Sequence, residues 1–97
     1  MNEDKKDVAI IEVGNITDIR ALHALLKNEL CFPDFYGMNW DAFWDAITGL
    51  VELPKSIIFT GWYSFEATFP KDAKIMMKMF SGMKEIFPNM QCEIKYT

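Results

Sequence analysis

The sequence predicts an α/β chain: a three-stranded parallel sheet packed by three to four helices. Three short runs rich in β-branched and aromatic residues occur at 8–13, 56–62 and 91–97, with segments of helical apolar spacing between them. Strands that alternate with helices argue for parallel pairing through right-handed crossovers. At 97 residues the chain is large enough for one core and too small for two, so residues 1–97 read as a single domain. So few helices cannot cover both faces of a sheet, which places them largely on one side.

The elements follow in order. "VAIIEV", residues 8–13, is apolar up to Glu12 and bounded by Gly14, the pattern of a buried strand. In "TDIRALHALLKNEL" the apolar positions Ile19, Leu22, Leu26 and Leu30 have helical spacing, with Thr17 as N-cap and Asp18 in the first turn. His23 lies beside that stripe and reads as a packed boundary residue, because no nucleophile or metal ligand is spaced to join it. "CFPDFYG", residues 31–37, is an aromatic loop in which Pro33 stops the first helix and Gly37 permits a turn. Asn39 caps a second helix that runs to about Thr48 and stops at Gly49. "SIIFTGW", residues 56–62, is a second buried strand, and "YSFEATF" a connector with a short helical turn. Pro70 suits the first position of a third main helix, which runs to about Phe87 and ends before Pro88. "QCEIKYT" alternates and forms the last strand.

Composition narrows the function. With 51% apolar and 25% charged residues the chain reads as globular and soluble. The opening "MNEDKKD" is polar, unlike a signal peptide, and no run approaches the roughly 20 apolar residues of a membrane helix. Cys31 and Cys92 make no disulfide framework and read as reduced, partly buried thiols of a cytoplasmic protein. No metal or cofactor motif occurs: there is no Gly-rich phosphate loop, H-x-x-x-H or nucleophile elbow. The net charge of −4 argues against direct nucleic-acid binding. Its distribution is uneven. From Asn28 to Pro54 there are five acids and no Lys or Arg, a local charge of −5, while the remainder carries +1. A field concentrated in that way attracts a basic partner.

The acidic segment contains "FYGMNWDAFWDAITG", residues 35–49. On its helix Phe43, Ala46, Ile47 and Leu50 form the core face, with Trp40 at its edge. Asp41, Asp45 and Thr48 point the opposite way, and Trp44 sits on the border. Carboxylates at i and i+4 repel by about 0.2–0.5 kcal/mol in an isolated helix, offset by their position near the positive end of the helix dipole. Aspartates are ordinary in a first turn, so the pair alone admits a purely structural reading. The missing counter-charges and the aromatic approach favour a surface for a cationic pocket. Paired carboxylates also serve acid–base catalysis, yet so short a chain builds no deep cleft and carries no further catalytic set, so no residue is assigned a catalytic role.

Through "LHALLKNEL", "P", "YG", "N", "DA", "WD" and "TG-VE-P", residues 22–54 in colinear order, the sequence resembles the barstar family of intracellular inhibitors of bacterial ribonucleases such as barnase. The resemblance continues more weakly to both ends. It implies a three-stranded parallel sheet packed by helices and a monomer that plugs the basic active site of a ribonuclease or related nuclease toxin with its second helix. It implies that Asp45 takes the phosphate-like central role and Asp41 pairs with neighbouring bases. Phe35, Tyr36, Gly37, Asn39, Trp44 and Thr48 would complete the contact surface. The family has a tyrosine where this chain has Phe35, so that hydroxyl contact is missing. The family's last-helix acid falls near Gly82 if Phe80 is the anchor and near Glu85 when counted back from Cys92. On the first register the stripe Ile75, Met79, Gly82, Ile86 is apolar. An adaptor that keeps the fold and binds a non-nuclease basic protein is the competing reading.

Overall fold

A computed structural model describes residues 7–97. Strand β1 (Val8–Glu12) leads through α1 (Ile19–Glu29) and the acidic helix α2 (Trp40–Asp45) to β2 (Ser56–Thr60). Helices α3 (Trp62–Thr68) and α4 (Pro70–Ile86) then precede β3 (Glu93–Tyr96). The sheet is parallel throughout in the order β1-β2-β3, with Ala9, Ile57 and Ile94 in one row and Ile11, Phe59 and Tyr96 in the next.

One face of the sheet is covered and the other is open. Ala9, Ile11, Ile57 and Phe59 are buried, whereas Val8 and Ile10 are 45% and 63% exposed. β1 is therefore not the fully buried strand its continuous apolar run suggests. Alternate side chains leave opposite faces of a strand, and there is one layer of helices to receive them. β2 ends two residues earlier than its apolar run, because Gly61 adopts φ +69° and starts α3 at Trp62. A methyl group there would lie 2.7 Å from the backbone nitrogen of Gly14, so this crossing at the top of the sheet requires glycine. The connector expected after it is the seven-residue helix α3.

The ends of α1 also differ from expectation. Its N-cap is Asp18, not Thr17: Asp18 has the extended backbone of a cap, and its carboxylate accepts from Ala21 N at 2.7 Å. The helix stops before Pro33 is reached. Cys31 takes φ +59°, and Phe32 N donates back to Lys27 O at 3.0 Å, a left-handed C-terminal cap usually built on glycine. Cys31 is exposed and Cys92 buried, and no disulfide joins them.

Aromatic rings fill the space between helices and sheet. Phe43 of α2 meets Phe80 of α4 edge-on at 5.5 Å, and Phe80 in turn meets Phe59 of β2 at 6.0 Å. α4 buries Ala73, Met76, Phe80 and Met83, a stripe next to the one formed by Ile75, Met79 and Gly82, which is half-buried, and Ile86, which is exposed. Tyr96 stacks on Phe59 at 5.8 Å, and desolvation by burial raises its phenol to about 12. No helix is long and apolar enough to cross a membrane among the described residues.

Phe43→Ala should cost about 3–5 kcal/mol of folding stability, the usual range for truncating a buried phenylalanine. Urea unfolding followed by far-UV circular dichroism measures it. A loss below about 1 kcal/mol would mean that Phe43 is not the wedge its burial indicates.

Candidate protein-binding site

Asn39 starts α2. Its Oδ1 accepts from Ala42 N at 2.7 Å, and its Nδ2 donates to Gly37 O at 3.1 Å. One side chain thus closes the aromatic loop and caps the helix. The left-handed residue of the loop is Met38 (φ +58°), not Gly37. From this start the helical spacing turns Phe43 fully inward and leaves Asp41 and Asp45 exposed. Among the described residues neither carboxylate has an ion-pair partner. One base does approach the rim of the segment: Lys27 Nζ donates to the backbone carbonyl of Asp34 at 3.4 Å.

The helix does not stop at Gly49. It widens into a π-helical turn, Ala46–Leu50, closed by Val51 N to Ala46 O at 3.2 Å. The Thr48 hydroxyl donates to Trp44 O at 2.6 Å and competes for the carbonyl that a regular turn uses. The wider turn swings Leu50 out of the core, where its spacing had placed it, to 48% exposure. Leu50 now rims a cavity of about 230 Å³ with Phe35, Tyr36, Gly37, Ala42 and Asp45. Leu50 and Ala42 are thus parts of the site that helical spacing alone misses. A threonine able to bond back to its own helix is the one local signal for the π turn.

The expected contact residues divide into groups. Phe35, 75% exposed, and Asp45 meet at this cavity beside the backbone of Gly37. Asp41 lies one helical turn before Asp45. Trp44 is half-buried and turns toward α4, where a methyl at Gly82 would sit 3.6 Å from its ring. Gly82 is thus an α4 residue facing Trp44, and Glu85 is exposed. Thr48 is half-buried and engaged with Trp44 O. Tyr36 is 6% exposed and turns inward. Its hydroxyl lies 2.7 Å from His23 Nδ1 and 3.5 Å from Asn39 O. The cavity brings a single carboxylate together with apolar groups and no second acid or base, an arrangement suited to receiving a cationic group.

The profile of the family described as Barstar (barnase inhibitor) matches residues 7–95. The chain belongs to the barstar family. A relative from Bacillus subtilis (strain 168), named "Putative ribonuclease inhibitor YrdF", is 43% identical over 60 residues, 62% of this chain and 65% of the relative. The match therefore spans a little under two thirds of that relative. Family membership agrees with the parallel sheet and its one-sided helices.

His23 supports this barstar-family site from below. It is 1% exposed, a core residue rather than a boundary one. The edge of Trp40 packs on it at 4.6 Å, and Trp40 Nε1 donates to Asp72 Oδ1 on α4 at 2.8 Å. Burial lowers the imidazole below its ordinary value, and the Asp72 carboxylate partly opposes this. A depressed histidine makes the unfolded chain the better proton acceptor. Stability is therefore complete above the unfolded value of about 6.5 and declines as pH falls toward the folded value, by up to about 1.4 kcal/mol per unit. Urea midpoints measured at intervals from neutral pH downward should show this decline, and His23→Gln should flatten it. A wild-type midpoint that rises on acidification through that range contradicts the assignment.

Proposed function

We propose that this chain inhibits a basic ribonuclease by inserting α2 and the loop before it into the enzyme's phosphate-binding site. The carrying observation is the pair of exposed carboxylates, Asp41 and Asp45, which have no counter-charge among the described residues, with Asp45 lining the cavity beside Phe35. An active site built for RNA phosphates presents clustered cations. Asp45 serves as the phosphate-like anion at the centre, and Asp41 pairs with the cations beside it. Charge-assisted bonds to Arg are strong and can be bidentate. Phe35 and Trp44 supply apolar contact, and the open backbone at Gly37 admits a partner group to the cavity. Tyr36, Asn39 and Thr48 act from behind, holding loop and helix in shape. The inhibitor works as a monomer in the cytoplasm, without metal or cofactor, and its target is an RNase of the secreted type or a related nuclease toxin.

Gly82 bears on which nuclease. Counted back from Cys92 the family's last-helix acid is exposed Glu85, whereas with Phe80 as the anchor it falls at Gly82, where this chain offers a notch against Trp44 bordered by half-buried Met79 and exposed Ile86. A target matched to it presents a less cationic group at that edge than barnase does.

A titration of barnase and related basic ribonucleases with the chain tests the proposal. At least one should lose RNA cleavage stoichiometrically, with association slowing steeply as salt rises. Asp45→Ala should weaken that inhibition by about 2–5 kcal/mol, mainly through faster dissociation. Its own stability should hardly change, since a small helix-dipole contact and a small like-charge repulsion are lost together. Lys71→Ala, outside the acidic surface, should have little effect on either. If no ribonuclease of the panel is inhibited, or if Asp45→Ala inhibits as well as the parent, the plug is wrong and the aspartates are first-turn residues only.

A further inference from the structure

The binding surface makes no direct use of His23, yet His23 is a polar residue buried in the core. Its Nδ1 and the Tyr36 hydroxyl are 2.7 Å apart, and the same hydroxyl has a longer contact of 3.5 Å to Asn39 O. A phenol has one proton to give. If Nδ1 carries the ring hydrogen, the imidazole donates to Tyr36 and Tyr36 donates onward to Asn39, so both contacts are used. Nε2, which has no partner, is then a bare lone pair. The opposite tautomer buries an N–H with no acceptor, which costs more. Burial also keeps the phenol protonated. The chain therefore runs from α1 through Tyr36 to the cap of the acidic helix. Phe35 and Gly37 flank Tyr36 in sequence, and the Asn39 carbonyl also accepts from Phe43 N at 2.9 Å.

We propose that His23 is the positioning residue of the binding loop: the neutral imidazole fixes Tyr36, and with it Phe35, Gly37 and the first turn of α2, and protonation of the ring releases them. The proposal rests on the plug reading above. A second proton would go onto Nε2, which is buried and has no acceptor. The groups around the ring are Tyr36 from the loop, uncharged Trp40 from α2, and Asp72 of α4. Asp72 is the charged group whose field reaches the ring, and it is already engaged by Trp40 Nε1. The closed loop thus rejects the proton and an open loop accepts it, so acid populates the open form. The inhibitor is preorganised at neutral pH and loosens on acidification.

Relaxation-dispersion NMR on the free chain, across about pH 7.5 to 5.5 where histidine ordinarily titrates, tests this without needing the partner. Backbone amides of residues 34–39 should gain microsecond-to-millisecond exchange as the pH falls, while those of β2 stay quiet. His23→Gln should abolish the pH dependence. Tyr36→Phe, which keeps the ring and removes the hydroxyl, should show the exchange already at neutral pH. Amides of 34–39 that are as quiet at the acid end as at the neutral end overturn the proposal, as does unchanged pH dependence in His23→Gln or a quiet loop in Tyr36→Phe. Failure of the ribonuclease reading shows instead as Asp45→Ala inhibiting normally, a result independent of these spectra.

Discussion

The insertion of Phe43 between α4 and the loop sets the orientation of everything the partner would meet. Its ring contacts Phe32, Trp40 and Phe80 and is wholly buried. A helix of six residues has too little backbone to orient itself; the phenylalanine does it. Once Phe43 points down, the helical repeat sends Asp41 and Asp45 out, and Trp44 along the surface toward α4. Asn39 fixes where the helix begins, and the Trp40–Asp72 hydrogen bond keeps it from rolling. The aspartates contribute little to this. They are held in place by neighbours whose burial stabilises the fold, which is how two like charges can share one short helix.

The same division of labour runs through the loop. Phe35 is outside and Tyr36 inside, adjacent residues facing opposite ways. An exposed aromatic ring is costly to leave in water unless something covers it part of the time, and a rigid ring loses little entropy on being covered. The buried neighbour supplies the rigidity. Stability and recognition are thus separated residue by residue, with few positions asked to serve both.

Much of this could be read before any coordinates. Alternating apolar runs and helical spacings lead to the parallel sheet, the Asn39 cap and the outward aspartates, because each depends on local chemistry or on periodicity. The failures have two causes. Thr17 and Asp18 are both competent caps, and backbone dihedrals decide between them. Pro33 is a credible helix stop, yet a left-handed cysteine stops the helix first. Gly61 ends β2 because the chain at Gly14 passes close by, a contact between distant residues. Leu50 leaves the core through a π turn that a regular 3.6-residue wheel cannot anticipate. His23 and Tyr36 look like boundary and surface residues until the loop folds back and joins them. Backbone geometry that residue type does not reveal decided the cap, the cysteine stop and the π turn, and long-range packing decided Gly61, His23 and Tyr36.

The open face of the sheet has a consequence for the chain at high concentration. β1 and β3 are both edge strands, and β1 shows Val8 and Ile10 to solvent. Such an edge can template a second strand and seed aggregates. On the same face Glu12 follows Ile10 along β1, while Glu93 and Lys95 stand on β3. All three are exposed, and they interrupt the apolar strip at both margins of the sheet. Charges outside the core thereby act as gatekeepers, Glu12 while also accepting from Gly14 N and the Thr60 hydroxyl, and colloidal solubility becomes a property of the face that helices never reached.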